Sequence, residues 1–265
     1  MTTNNQNLAI VYSNIDQAGI NIINELKKLN CKLPIYAFDE ESIFINLDKL
    51  SENQIIFVTK HMSKAEKKSL TVHSIGNFDK AEFGGLDKKL VLANPKLAGI
   101  FLRNLEKYAK ELNLKEYEIC YEVTHHGPYS EKLCIFIEVG GTEKEWSDLE
   151  ACKIIAKTIL ESINKENKDL VAIGLGGGHY APEFSKVTKR TNISFGHICP
   201  KYNLENLTFE LLNEMIEKSN ANLIVIDYKG LGKEKEKIKE FCEKIKLEKN
   251  IETKRTDKLK IINTD

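Results

Sequence analysis

The chain has 265 residues, with 39 Lys and Arg against 39 Asp and Glu, so its formal net charge is zero. That balance argues against whole-molecule attraction to nucleic acid and leaves only local basic patches. At 42% hydrophobic and 29% charged residues the composition is that of an ordinary globular protein, and the length fits one large α/β domain or two small ones able to bury a sizeable core.

Leu8–Tyr12 reads as a short apolar strand, and Asp16 to Leu29 as a helix with Ala18, Ile22, Ile23, Leu26 and Leu29 at helical spacing. Ile35–Phe38, Ile43–Ile45, Ile55–Val58 and Leu70–Ile75 read as further strands. The stretch from Phe78 to Leu90, with Gly84-Gly85 among charges, reads as a loop. Pro95 opens a helix to about Leu112. Tyr117–Thr124 alternates like a strand and leads into His125-His126-Gly127-Pro128. Leu133–Val139 is the most apolar strand. Thr142 and Glu145 form a capping-box signature for one long helix to about Ile163, with Trp146 and Leu149 on its buried side.

Val171–Leu175 predicts a buried strand, followed by Gly176-Gly177-Gly178-His179 and by a helix opened by Pro182-Glu183. A strand near Ile193–Ile198, a helix over Phe209–Ser219, a strand at Leu223–Asp227 and a charged helix from about Lys233 to Lys246 come next. Leu259–Ile262 is an edge-strand candidate. Alternating strands and helices predict one layered α/β/α domain over residues 1–265, with a mostly parallel or mixed central sheet.

The start of the chain lacks a signal-peptide pattern, and no apolar run approaches the roughly 20 residues that span a bilayer. A cytoplasmic monomer without membrane contact is expected. The six cysteines stand singly, which argues against a cysteine-rich zinc site, and Cys120, Cys134 and Cys152 fit reduced core positions.

The glycine run lacks the Lys-Ser/Thr of a phosphate loop and has His179 where a dinucleotide fingerprint needs glycine. Histidine is the informative residue type. His73, His125, His126, His179 and His197 fall at strand ends or beside glycines, whereas His61 lies in a Lys-rich stretch that reads as solvated. Such histidines suit either a divalent metal completed by Glu122, Glu138 or Glu183, or a metal-free general base. On a strand, His125 and His126 would face opposite sides, so only one would enter a given pocket. Lys186, Lys189 and Arg190 form a basic cluster behind the glycine loop, fit to grip a phosphate backbone.

Phe101-Leu102-Arg103-Asn104-Leu105, Tyr121-Glu122-Val123-Thr124-His125-His126-Gly127-Pro128, Ile137 to Trp146, Gly174 to Phe184 and Gly196-His197-Ile198 together resemble the archaeal and plant type of D-aminoacyl-tRNA deacylase. The resemblance covers nearly the whole chain. It implies hydrolysis of the ester joining a D-amino acid to the terminal ribose of tRNA, zinc as cofactor, and a fold related to peptidyl-tRNA hydrolase and purine nucleoside phosphorylase. The site expected from it has His125, His126, His179 and Glu183 as catalytic residues. His125, His179 and His197 are expected on the metal, and Gly176, Gly177, Gly178, Glu138, Lys186, Lys189 and Arg190 on the substrate. The competing expectations are a nucleosidase and a tRNA-binding protein without catalysis.

Overall fold

The computed structural model describes residues 7–62 and 66–259. It contains strands β1 (Leu8–Ser13), β2 (Ile35–Phe38), β3 (Gln54–His61), β4 (Ser69–His73), β5 (Glu118–Tyr121) and β6 (Leu133–Gly140) in a first sheet. Strands β7 (Leu170–Leu175), β8 (Ile193–Cys199), β9 (Leu223–Ile226) and β10 (Glu252–Arg255) form a second. The helices are α1 (Gln17–Lys28), α2 (Pro95–Glu111), α3 (Glu143–Trp146), α4 (Leu149–Ser162), α5 (Pro182–Arg190), α6 (Phe209–Ser219) and α7 (Lys235–Lys249).

The first sheet has the order β2-β1-β3-β6-β4-β5 and is mixed, because β4 runs antiparallel to β6. The second has the order β10-β9-β7-β8 and is parallel throughout. The α/β class is as expected, but the strands divide between two sheets instead of forming one.

Helix α2 joins them. Asn94 caps it by accepting from Leu97 N, and Pro95 fills the first turn, where its missing N–H costs no hydrogen bond. Its Leu102 and Leu105 belong to one core cluster with Ile56, Val58 and Val72 of the first sheet and Ala172, Phe195 and Val225 of the second. Gly99 lets the helix close on β8, since a Cβ there would run into the Ser194 side chain.

Two local expectations are corrected. Ile43–Ile45 is not a strand; Ser42–Phe44 is a 3-10 turn. The helix after Thr142 breaks after four residues: the capping box forms, α3 ends at Trp146, and Asp148 caps α4 by accepting from Glu150 N and Ala151 N. Leu149 thus opens a new helix and is 54% exposed. The edge strand β10 is the polar Glu252–Arg255, parallel to β9, while Lys260–Ile262 of the expected edge strand lie outside the described residues.

Candidate active site

Side chains alternate across a strand, so one face of the first sheet takes the apolar positions Ile56, Val58, Leu70, Val72, Ile135 and Ile137 and packs against helices. The other face turns polar on three neighbouring strands, with Thr59 and His61 on β3, Glu138 on β6, and Thr71 and His73 on β4. Glu138 stands opposite Thr59 on one side and Thr71 on the other. One of its oxygens lies 3.4 Å from His61 Nδ1 and 3.5 Å from His73 Nε2. Asp16 anchors this end of β3, accepting from Thr59 Oγ1 at 2.6 Å and from Lys60 N at 2.8 Å.

The segment after β5 lies over this face and ties the sheets together. Val123 N donates to the His179 carbonyl and Thr124 N to the Ile198 carbonyl, each at 2.9 Å. Glu122 is thereby buried with its Oε2 3.0 Å from His179 Nε2, 3.1 Å from His61 Nδ1 and 3.5 Å from His125 Nε2. His125 and His126 are not on a strand. His126 takes a φ of +47°, and this left-handed turn brings both rings into one cluster, with centroids 4.3 Å apart. His73 lies 4.4 Å from His125 and 5.0 Å from His126, centroid to centroid. His179 closes the mouth, its Nδ1 3.4 Å from Tyr202 Oη.

Five imidazoles and two carboxylates therefore meet. Among the described residues, three overlapping groups hold ligand atoms within 4.8 Å of one another: His61, Glu122, His125 and His179; His73, His125 and His126; and His73, Glu122 and Glu138.

Backbone carbonyls fix how three of the rings point. His73 Nδ1 lies 3.1 Å from the Ser74 carbonyl, His125 Nδ1 2.9 Å from that of Val123, and His126 Nδ1 2.6 Å from that of Gly127. A carbonyl only accepts, so each Nδ1 carries the proton and donates it. Each Nε2 then faces inward, the orientation that outer carbonyls impose on metal-ligating histidines. The neutral His125 Nε2 is a bare acceptor facing the Glu122 carboxylate, itself an acceptor. His73 Nε2, Glu138 Oε2 and Glu122 Oε1 are buried with no aligned hydrogen-bond partner. Buried polar atoms of this kind are normally satisfied. An acceptor-rich, partner-poor set of imidazoles and carboxylates is what a divalent cation such as zinc requires.

The charges balance in pairs. Burial works against ionised His61, but hydrogen bonds to Glu122 and Glu138 override it and carry the ring up to about 11. His73 is also raised, the Glu138 charge outweighing burial. Burial opposes the Glu122 charge too, yet His179 and His61 hold the carboxyl well below its usual range, and Glu138 is lowered by His73 and His61. Burial keeps His125 well below the ordinary imidazole value and takes His126 down to about 4. His61 thus holds charge between two carboxylates, and His125 and His126 stay neutral with a nitrogen to offer.

A family model described as D-aminoacyl-tRNA deacylase matches residues 49–250, the span that carries every member of this cluster. The chain belongs to the D-aminoacyl-tRNA deacylase family. It is 39% identical over 218 residues to the D-aminoacyl-tRNA deacylase of Picrophilus torridus, covering 82% of this chain and 83% of that one. It is 36% identical over 247 residues to that of Methanocaldococcus jannaschii, covering 88% and 95%. A solved crystal structure of a conserved protein of unknown function superposes with a TM-score of 0.88 at 30% identity and 95% coverage of both chains. The deacylase resemblance read from the Thr-His-His-Gly-Pro and Gly-Gly-Gly-His-Tyr-Ala-Pro motifs is thus borne out at the level of family.

Within this deacylase-family chain the expected site residues divide. His125, His126, His179 and Glu138 come together. His197 does not. It is fully buried, its Nε2 donates to the Val91 carbonyl at 2.9 Å, and its Nδ1 accepts from Thr124 Oγ1 at 3.1 Å, so no nitrogen is left for a metal. Glu183 is exposed in the first turn of α5, outside all three groups. Lys189 is engaged in the fold, donating to the Ile119 carbonyl at 2.6 Å beside Glu106, while Lys186 and Arg190 are exposed. The N–H groups of Gly176 and Gly177 donate to the carbonyls of Cys199 and Gly230.

His61 is the member that reading the sequence missed. Its flanking lysines suggested solvent. The signal was the two-residue alternation: Phe57, Thr59 and His61 share one face of β3, with Lys60 on the other.

Proposed function

We propose that the protein hydrolyses the ester of D-aminoacyl-tRNA, releasing the D-amino acid and free tRNA, with zinc held by His73, His125 and His126. The observation that carries this reading is the set of three Nε2 atoms turned inward by carbonyls on their Nδ1 atoms. The names of the relatives supply the substrate class. Zinc bound there would lower the pKa of a water and polarise the ester carbonyl.

The remaining groups handle the proton. Glu122 accepts from His179 Nε2–H, which leaves the lone pair on His179 Nδ1, at the mouth. That nitrogen takes the proton as water oxygen bonds to the acyl carbon. It returns the proton to the ribose oxygen as the acyl–oxygen bond breaks. His61 and Glu138 hold the charge of Glu122 in place from behind. The substrate docks on a single chain acting as one unit, and selection for D over L is steric.

The test is release of tyrosine from matched D- and L-tyrosyl-tRNA by wild type and His179→Ala. The expected result is rapid loss of the D-ester, a spared L-ester and an inactive variant. Equal rates on both esters, or full activity of His179→Ala, contradict the reading.

A further inference from the structure

A cavity of about 550 Å³ is lined by Tyr202, whose hydroxyl is 3.4 Å from His179 Nδ1, and by Gly178, the residue before His179. Its volume is that of a small-molecule site, roughly 300–1,000 Å³. The proton-handling mechanism leaves it unused.

The cavity's position follows from topology. In the order β10-β9-β7-β8, the chain leaves β7 for β8 on one side, then crosses back to β9 on the other. Phe184 and Val187 of α5 pack on one face of this sheet, and Leu211 and Leu212 of α6 with Ile238 of α7 pack on the other. The connections from β7 and β9 therefore part, and they open a crevice at the strand carboxyl ends. This switch point is where open α/β sheets bind ligands. The loops after β7 and β9 line the cavity, through Gly178 from the first and Asp227 and Gly230 from the second.

Gly178 carries the second observation. Gly176 and Gly177 have positive φ, and a Cβ on Gly176 would meet the Asp227 carbonyl at 2.8 Å, so the fold explains glycine there. A Cβ on Gly178 would meet nothing within 4 Å, and its φ is not in the left-handed range. No contact of the protein requires glycine at 178, and the space it leaves opens onto the cavity. The polar groups suit a nucleoside. Asp227 Oδ1 accepts from Gly230 N at 3.1 Å, which leaves Oδ2 for a hydroxyl. Tyr202, 58% exposed, offers a ring face for a base. Lys201 and Lys233 are outnumbered by Asp227, Glu205 and Glu234, and Lys233 is already 2.6 Å from Glu205, an electrostatic setting hostile to a polyphosphate.

We propose that this cavity receives the 3′-terminal adenosine of the substrate, its ribose hydroxyl on Asp227 and its base against Tyr202, so that the ester falls beside His179 Nδ1. The proposal rests on the deacylase reading and names the subsite that reading needs.

The experiment compares 3′-O-D-tyrosyl-adenosine with D-tyrosine methyl ester as substrates of the wild-type protein. It also measures binding of the non-hydrolysable 3′-amide analogue to wild type, Gly178→Val and Tyr202→Ala. The adenosine ester is expected to be hydrolysed at least about 100-fold more efficiently than the methyl ester, without release of adenine. The analogue is expected to bind Gly178→Val and Tyr202→Ala at least about tenfold more weakly. Gly178→Val should keep its melting temperature, since the position is exposed and uncrowded. Equal efficiency on the two esters, wild-type affinity in both variants, or release of adenine overturns the proposal. Failure of the deacylase reading looks different: the wild-type protein would then leave D-tyrosyl-tRNA intact.

Discussion

His197 and His125 each place one nitrogen on a backbone carbonyl, and they differ in what the other nitrogen meets. His197 Nδ1 takes the Thr124 hydroxyl proton, and Thr124 Oγ1 accepts in turn from Ile198 N at 3.1 Å. His125 Nε2 faces a carboxylate that has no proton to give it. A histidine with both nitrogens satisfied fastens the end of β8. One satisfied only on its outer side, among four others and two carboxylates, is poised for a cation or a reacting group. Burial alone separates nothing here, since His73 is as inaccessible as His197.

The comparison predicts a ladder of effects. Glu122→Gln removes the charge on which three imidazoles converge and should lower kcat/KM for D-tyrosyl-tRNA by about 10³-fold, read by acid-precipitable counts over time. His61→Phe keeps the ring volume but removes the partner of Glu122 and Glu138, and should cost about 10–100-fold in the same assay. His197→Phe should leave the rate within about threefold. It should lower stability by about 1–3 kcal/mol in urea titrations, because the Val91 carbonyl and Thr124 hydroxyl lose a buried partner. A rate collapse in His197→Phe would erase the distinction between the two histidines.

The same histidine predicts a pH effect. Burial takes His197 down to about 3, whereas in the unfolded chain it titrates near its ordinary value of about 6.5. The unfolded state therefore binds the proton first. The contribution is fully present above about 6.5 and is lost as pH falls toward about 3. His126, lowered to about 4, adds in the same direction. Urea midpoints should fall between pH 7 and pH 4.5, and less steeply in His197→Phe. The smallest effect belongs to Glu183→Gln, which should turn over D-tyrosyl-tRNA within about twofold of wild type, since its side chain is exposed outside the cluster.

Much of this was legible in the sequence, for a reason particular to each segment. Pro95, the Thr142–Glu145 capping box and the stripes of α1 and α2 are local signals, and helices start where they predict. The break at Ser147–Asp148 is local too, but Asp148 can continue a helix or cap a new one, and packing decides. Glycine beside histidine marked His125 to Gly127 and Gly178-His179, whose imidazoles the fold brings together, and equally Gly196-His197, whose ring stays apart from them. There glycine serves β8, because a Cβ on Gly196 would strike Ser219. Nothing in the chain distinguishes the two causes. The pairing of Glu138 with His61 and His73 depends on an antiparallel β4–β6 register and lies beyond any local pattern.

The most direct measurement is D-tyrosyl-tRNA turnover as a function of zinc bound, starting from chelated protein. The account predicts that turnover disappears with the metal, returns in proportion to zinc restored, and does not return in His125→Ala. Undiminished turnover by protein shown to be free of metal would contradict it.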